Sequence, residues 1–190
     1  MTALIIVDVQ NDFTKGFLSL GNAPSGADVA QTIANINNHL LMHNYETVVY
    51  TLDYHPPDHC SFDIWPKHCV ENTWGAELDD RLIKKPLNCK DFFIIKKGTS
   101  PLVDSYSAFI DNDRQQETEL LQELTTRKIK NVIICGLALD YCVYYTALDS
   151  KKYGFETSII KNCTASYSEP NSAEYKEKIR FLLNSKINFI

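Results

Sequence analysis

What the chain lacks narrows its class before anything in it is read. Its longest apolar run, VIICGLAL at 132–139, is far too short to span a bilayer, so no membrane partner is expected. No stretch holds five like charges; Lys84-Lys85, Lys96-Lys97 and Lys151-Lys152 are only pairs. Nineteen basic against twenty-four acidic side chains leave a net charge of -5. A protein that tracks a phosphate backbone needs a basic face, so nucleic acid is not expected either. The opening MTALIIVDVQND lacks the basic start of a secretory signal, and a cytoplasmic location is the expectation. There is no C-x-x-C pair; the six cysteines (60, 69, 89, 135, 142, 163) are expected as thiols, although their even number leaves pairing open. No repeat, low-complexity tract or linker breaks the order of the chain.

What is present reads as an ordinary globular protein. With 190 residues, 44% of them apolar, the chain is long enough for one domain with a real core. Strand and helix alternate. TALIIVD at 2–8 is a continuous β-branched run, as a strand buried on both faces should be. Val29, Ile33, Ile36 and Leu40 recur at helical spacing over 27–43. TVVYTL at 47–52, FFIIKK at 92–97, NVIICGL at 131–137 and TSIIK at 157–161 read as further strands, and INFI as a last one. A helix is expected over 114–127, and another from about 140 to KKYG with Gly154 closing it. A third, running to Leu183, is expected to start at a capping box of Asn171 and Glu174. The expectation is a single domain over 1–190, a three-layer α/β/α fold with a mainly parallel sheet of about six strands.

Open sheets of this kind bind ligands beyond the carboxyl ends of their strands. Asp8, Asp53, Lys97 and Cys142 fall at four such ends. Singly, each has an ordinary structural role open to it: a turn, a cap, a solvated strand end, a small packed side chain. Together they suggest acyl transfer. Cys142 sits at the head of a helix, where backbone N–H groups and the Lys97 ammonium are expected to stabilise a thiolate. Asp8 is placed to accept the thiol proton and return it to a leaving amine.

Histidine is scarce, five in all, yet three of them fall within the fourteen residues from His55 to His68. Asp53-x-His55 puts two donors on one side of an extended strand end, with His59 and His68 following in a proline-stiffened loop. Such a donor set suits one divalent ion, Zn²⁺ first and Fe²⁺ or Mn²⁺ as alternatives, with positions left open. A loop of solvated histidines is the competing reading.

ALIIVDVQNDF at 3–13, DYHPPDH at 53–59, WPKHCV at 65–70, KKG at 96–98, YSAF at 106–109 and GLALDYCV at 136–143 resemble, in order, the signature blocks of nicotinamidases. These enzymes, also called pyrazinamidases, belong to the isochorismatase-like cysteine hydrolases. The resemblance implies a catalytic triad of Asp8, Lys97 and Cys142 and metal ligands Asp53, His55 and His68, with His59 a ligand in only some members. It implies aromatic pocket walls at Phe13, Trp65, Tyr106 and Tyr141. It further implies an oxyanion hole from the N–H groups of Ala138 and Cys142, with a cis bond between Leu137 and Ala138. The metal is expected to hold the ring nitrogen of nicotinamide, or water near it, while the thiol meets the carboxamide. The implied reaction is hydrolysis of nicotinamide, and of pyrazinamide, within NAD salvage. A related amidase for another small amide or N-carbamoyl compound stays open, as does a non-catalytic metal- or thiol-binding protein. Whether the chain forms a homo-oligomer is open too. The sequence departs from the family pattern at Leu139, where threonine is common, at Asn72, where glycine is common, and in a short loop between His59 and His68.

Overall fold

The β-branched run at the start of the chain becomes the middle of the sheet. In the computed structural model, which describes residues 1–190, β1 spans Thr2–Val7 and its side chains from Ala3 onward are fully buried. Alternation along this strand divides the core into two. Leu4 and Ile6 face one layer, where they meet Val29, Ile33, Ile36 and Leu40. Ala3, Ile5 and Val7 face the other, with Leu120, Leu124, Val143 and Leu182.

The helix after β1 is a single short turn, α1 (Asn11–Thr14), which the sequence reading did not foresee. Next come α2 (Val29–Met42), β2 (Tyr45–Asp53) and β3 (Cys89–Lys97). The second half contributes α3 (Leu120–Thr126), β4 (Asn131–Leu137), α4 (Cys142–Lys152), β5 (Glu156–Ala165), α5 (Ala173–Asn184) and β6 (Asn188–Phe189). All five strand pairings are parallel, in the order β3-β2-β1-β4-β5-β6. The expected six-stranded parallel sheet with helices on both faces is therefore what the chain builds. No helix is long and apolar enough to cross a membrane.

Three local expectations are corrected. The helix expected over 114–127 begins only at Leu120, because the Asp111 carboxylate accepts the N–H groups of Gln115 and Gln116 and folds that stretch into a turn. The last helix is capped by Ser172, whose hydroxyl accepts from Tyr175 N–H, so Asn171 and Glu174 form no capping box. The strand at 157–161 extends to Ala165 through a register shift against β4, where Ile134 pairs with Ile159 but Gly136 with Thr164.

Candidate active site

From β1 the sheet grows outward through β2 and β3 on one side and through β4, β5 and β6 on the other, so the reversal of strand order lies between β1 and β4. Asp8 follows β1 there, and Cys142 opens α4 just after β4. Asp53 and Lys97 end β2 and β3 as register partners. The sheet thus delivers four residues from distant parts of the chain to one corner.

Lys97 is the hub of that corner. Its Nζ lies 2.9 Å from Asp8 Oδ2, 2.5 Å from Asp53 Oδ1, 2.9 Å from the Ser105 carbonyl and 3.4 Å from Cys142 Sγ. Burial alone would lower the lysine, but the carboxylates of Asp53 and Asp8 outweigh it and hold the ammonium charged well above its ordinary range. Asp53 shows the same contest with the opposite sign. Burial works to raise it, and the Lys97 ammonium with His55 keeps it well below the usual carboxylate range. For Asp8 burial prevails over Lys97, and its proton affinity is raised. Asp8 Oδ1 accepts from the Thr51 hydroxyl at 2.5 Å, while Oδ2 accepts no well-aligned hydrogen bond. Oδ2, ion-paired with Lys97 but without an aligned donor, is the carboxylate oxygen left to take a proton.

The expected stabilisation of a thiolate by Lys97 is present at Cys142 but is outweighed. Burial pushes the Cys142 thiol well above its ordinary value, and the lowering by Lys97 does not offset it. A proton on that sulfur has an acceptor in Asp8, a carboxylate oxygen of which lies within 4.8 Å of it.

The turn that presents Cys142 depends on a close strand approach. Gly136 has φ 106, and a Cβ there would sit 2.2 Å from the Val7 carbonyl oxygen. The Leu137–Ala138 bond is cis. Leu139 N–H donates to the Ala165 carbonyl, and Tyr141 and Val143 N–H both donate to the Ala138 carbonyl. The N–H groups of Ala138 and Cys142 donate to no protein group, which leaves two donors beside the sulfur. Leu139, the departure from threonine, is buried in the core against the α4 side of the sheet and does not line the pocket.

The histidine loop meets the same corner from the β2 side. His55 Nδ1 donates to the Gly98 carbonyl at 2.8 Å and His68 Nδ1 to the Pro66 carbonyl at 2.7 Å. A ring nitrogen bonded to a carbonyl carries the proton, so each Nε2 offers a lone pair. Gly98 must be glycine here: its φ is 61, and a Cβ would lie 2.5 Å from the His55 ring. Burial lowers His68, whereas for His55 the Asp53 carboxylate outweighs burial and raises it. The donor atoms of Asp53, His55 and His68 lie within 4.8 Å of one another, and the buried His55 Nε2 has no hydrogen-bond partner. An orphaned lone pair beside a carboxylate and a second imidazole fits a divalent ion. His59 differs: its donor groups within that distance with His55 and Asp104, not with Asp53 and His68.

Several supporting residues were not singled out in the sequence reading, although two of them stand inside the QNDF motif. The Gln10 amide donates to the Asp53 carbonyl at 2.7 Å and accepts from Asp53 N–H at 2.9 Å, which fixes that carboxylate's backbone. Asp12 Oδ2 accepts from Cys69 N–H at 2.7 Å and so anchors the residue after His68. Asn72 takes a left-handed conformation (φ 60), which asparagine tolerates, and accepts from the Tyr54 hydroxyl. All six cysteines are unpaired.

One pocket joins these groups. Asp53, His68, Ala138 and Cys142 line it together with Phe13, Trp65, Tyr106 and Tyr141, the four expected walls. Trp65 Nε1 donates to the Tyr106 hydroxyl at 3.1 Å, and the Phe13 ring centroid is 5.4 Å from that of His68. Leu18, Leu20, Asp104, Leu137 and Tyr167 complete the lining; no periodicity or motif marks Leu18, Leu20 or Asp104 as site residues in the sequence.

A parallel α/β sheet with a cysteine, a lysine and two aspartates converging at its switch point defines an α/β protein with a thiol-centred pocket. The isochorismatase domain model matches residues 2–183, and the chain belongs to the isochorismatase family. It is 36% identical over 178 residues to the nicotinamidase of Escherichia coli, covering 83% of this chain and 80% of that one. It is 40% identical to the nicotinamidase of Acinetobacter baylyi over 179 residues, 83% of this chain and 78% of that one. Among solved structures it resembles the pyrazinamidase of Pyrococcus horikoshii in complex with zinc, with a TM-score of 0.80 and 31% identity over 100% of this chain and 98% of the other.

Proposed function

We propose that the protein is a metal-containing cysteine amidohydrolase that converts nicotinamide and water into nicotinate and ammonia, and that it accepts pyrazinamide as well. The observation that carries this reading is the four-way contact of Lys97 Nζ with Asp8, Asp53, Ser105 and Cys142, beside two backbone N–H groups that donate to nothing. The nicotinamidase relatives support the choice of substrate.

In the first half-reaction the Cys142 proton passes to Oδ2 of Asp8 as sulfur attacks the carboxamide carbon. The N–H groups of Ala138 and Cys142 hold the developing oxyanion. Asp8 returns the proton to the amide nitrogen, the C–N bond breaks, and ammonia leaves a thioester on Cys142. Asp8 then takes a proton from water as its oxygen attacks the thioester, and the thiol is regenerated with nicotinate as product. Lys97 stays protonated throughout; its work is to hold both carboxylates and to offset their charge. Asp53, His55 and His68 would hold the divalent ion, zinc first among candidates, which would supply a Lewis acid for the lone pair of the pyridine nitrogen. Phe13, Trp65, Tyr106 and Tyr141 stack and enclose the ring.

The same reading makes the 190 residues one hydrolase domain and places the enzyme in the cytoplasm, within NAD salvage. The test is ammonia release from nicotinamide by purified protein whose metal content is determined in parallel. Turnover that scales with metal occupancy supports the reading; metal-replete protein that releases no ammonia from nicotinamide overturns it.

A further inference from the structure

Tyr167 belongs to neither the triad nor the histidine set, yet it lines the pocket beside Trp65 and Tyr141. The segment that carries it is fixed from two directions. On one side Leu139 N–H donates to the Ala165 carbonyl at 2.8 Å, and the buried Asp140 carboxylate accepts the N–H groups of Tyr167 and Ser168, each at 2.8 Å. On the other, Ser25 N–H donates to the Tyr167 carbonyl at 3.1 Å and the Ser25 hydroxyl to the Ser166 carbonyl at 2.6 Å. Lys178, from α5, donates to the Asp140 carbonyl at 2.9 Å and lies 4.2 Å from the Tyr141 ring centroid, which ties the nucleophile turn to the same assembly. A backbone held this way leaves the ring little freedom.

The ring meets its neighbours edge-on, 5.2 Å from the Trp65 centroid and 5.9 Å from that of Tyr141. Its hydroxyl makes no hydrogen bond to the protein, so what it contributes is bulk. Two polar groups line the pocket, Asp53 with His68 and Cys142 with Ala138. A nicotinamide anchored by its ring nitrogen at the first and by its carboxamide at the second turns C5 away from both, since C5 is meta to each. Phe13 packs against His68, Tyr141 precedes Cys142, and Tyr106 follows Ser105, whose carbonyl holds Lys97, so the lining left to meet that carbon is Trp65, Tyr167, Leu18 and Leu20.

We propose that Tyr167 is a specificity-determining residue that restricts the enzyme to pyridine carboxamides without a substituent at C5. The inference rests on the nicotinamide reading above and names the limit of its substrate class. A rigid apolar wall discriminates by size, at roughly ten- to two-hundredfold per methylene.

The experiment compares kcat/KM for nicotinamide, 5-methylnicotinamide and 5-ethylnicotinamide with wild type, Tyr167→Phe, Tyr167→Leu and Tyr167→Ala. Wild type and Tyr167→Phe are expected to favour nicotinamide over the 5-ethyl compound by about a hundredfold. Tyr167→Ala is expected to narrow that ratio to below about tenfold, chiefly through a lower KM for the substituted ring, with Tyr167→Leu between the two. Tyr167→Leu keeps apolar volume at the rim and carries the comparison if the alanine variant does not fold. An unchanged ratio in the truncated variants, or a wild type indifferent to the 5-ethyl group, overturns the inference while the nicotinamide reading stands. Metal-replete wild type that releases no ammonia from nicotinamide overturns both.

Discussion

The triad corner and the histidine loop sit in one pocket but are built in opposite ways. Asp8, Lys97 and Cys142 come from three strand ends far apart in the chain, and the sheet's register brings them within hydrogen-bonding reach of one ammonium group. Asp53, His55, His59 and His68 come from one short segment, and local turns decide which of them converge. The sheet leaves its residues no alternative arrangement. The loop does, and His59 pairs with His55 and Asp104 instead of joining Asp53 and His68. Asp53 belongs to both regions, because one of its oxygens is held by Lys97 while the other lies 3.7 Å from His55 Nε2.

The largest expected effect isolates the corner from the loop. Cys142→Ala removes the nucleophile and should cost on the order of 10⁴-fold or more in kcat, with metal content unchanged. Loss of metal in that variant, measured by elemental analysis, would show that the two regions do not separate at the sulfur.

Lys97→Met attacks the point where they join. It leaves two buried carboxylates without their cation, so turnover should be lost and stability should fall by about 3–5 kcal/mol in denaturant unfolding. A variant as stable as wild type would mean that the ammonium is not the hub.

Within the loop, His68→Ala should weaken zinc by about a hundredfold in chelator competition, and His59→Ala by less than about tenfold. Equal losses would move His59 into the same donor set as Asp53 and His68.

The smallest effect is the pH response of the corner. Burial raises Asp8, and only its ionised form accepts the thiol proton. kcat/KM should therefore fall about tenfold per pH unit on acidification, with the limb centred above the ordinary carboxylate value near 4. A limb centred at or below that value would remove Asp8 as the acceptor.

How legible each region was follows from the same contrast. β4 was readable to the residue, because NVIICGL is a buried β-branched run with polar boundaries, and strand ends so located point to Asp8, Lys97 and Cys142. INFI likewise marked β6, but the late start of α3 was not legible, since side-chain-to-backbone bonds such as those of Asp111 override helical spacing. The His55 and His68 donors were visible as a cluster in sequence, whereas Asp104 and Tyr167 come close only through the fold. The Lys97 neighbour of Cys142 was legible in the sequence, but the burial that outweighs its pull on the thiol was not. QNDF was legible as a motif, but the clamps made by Gln10 and Asp12 need the partner loops in place before they can be seen.

The central claim is that corner and loop act on one molecule, the sulfur on the carboxamide and the histidine set on the ring nitrogen. The most direct measurement is kcat/KM for nicotinamide against benzamide, which keeps the ring shape and the scissile bond but has no ring nitrogen. Aromatic stacking by Phe13, Trp65 and Tyr106 serves both compounds alike, so it cannot separate them. A polar partner left unmatched in a closed pocket costs a few kcal/mol, and nicotinamide should be favoured by about a hundredfold or more. Equal kcat/KM for the two would contradict the account and leave the histidine loop without a part in substrate recognition.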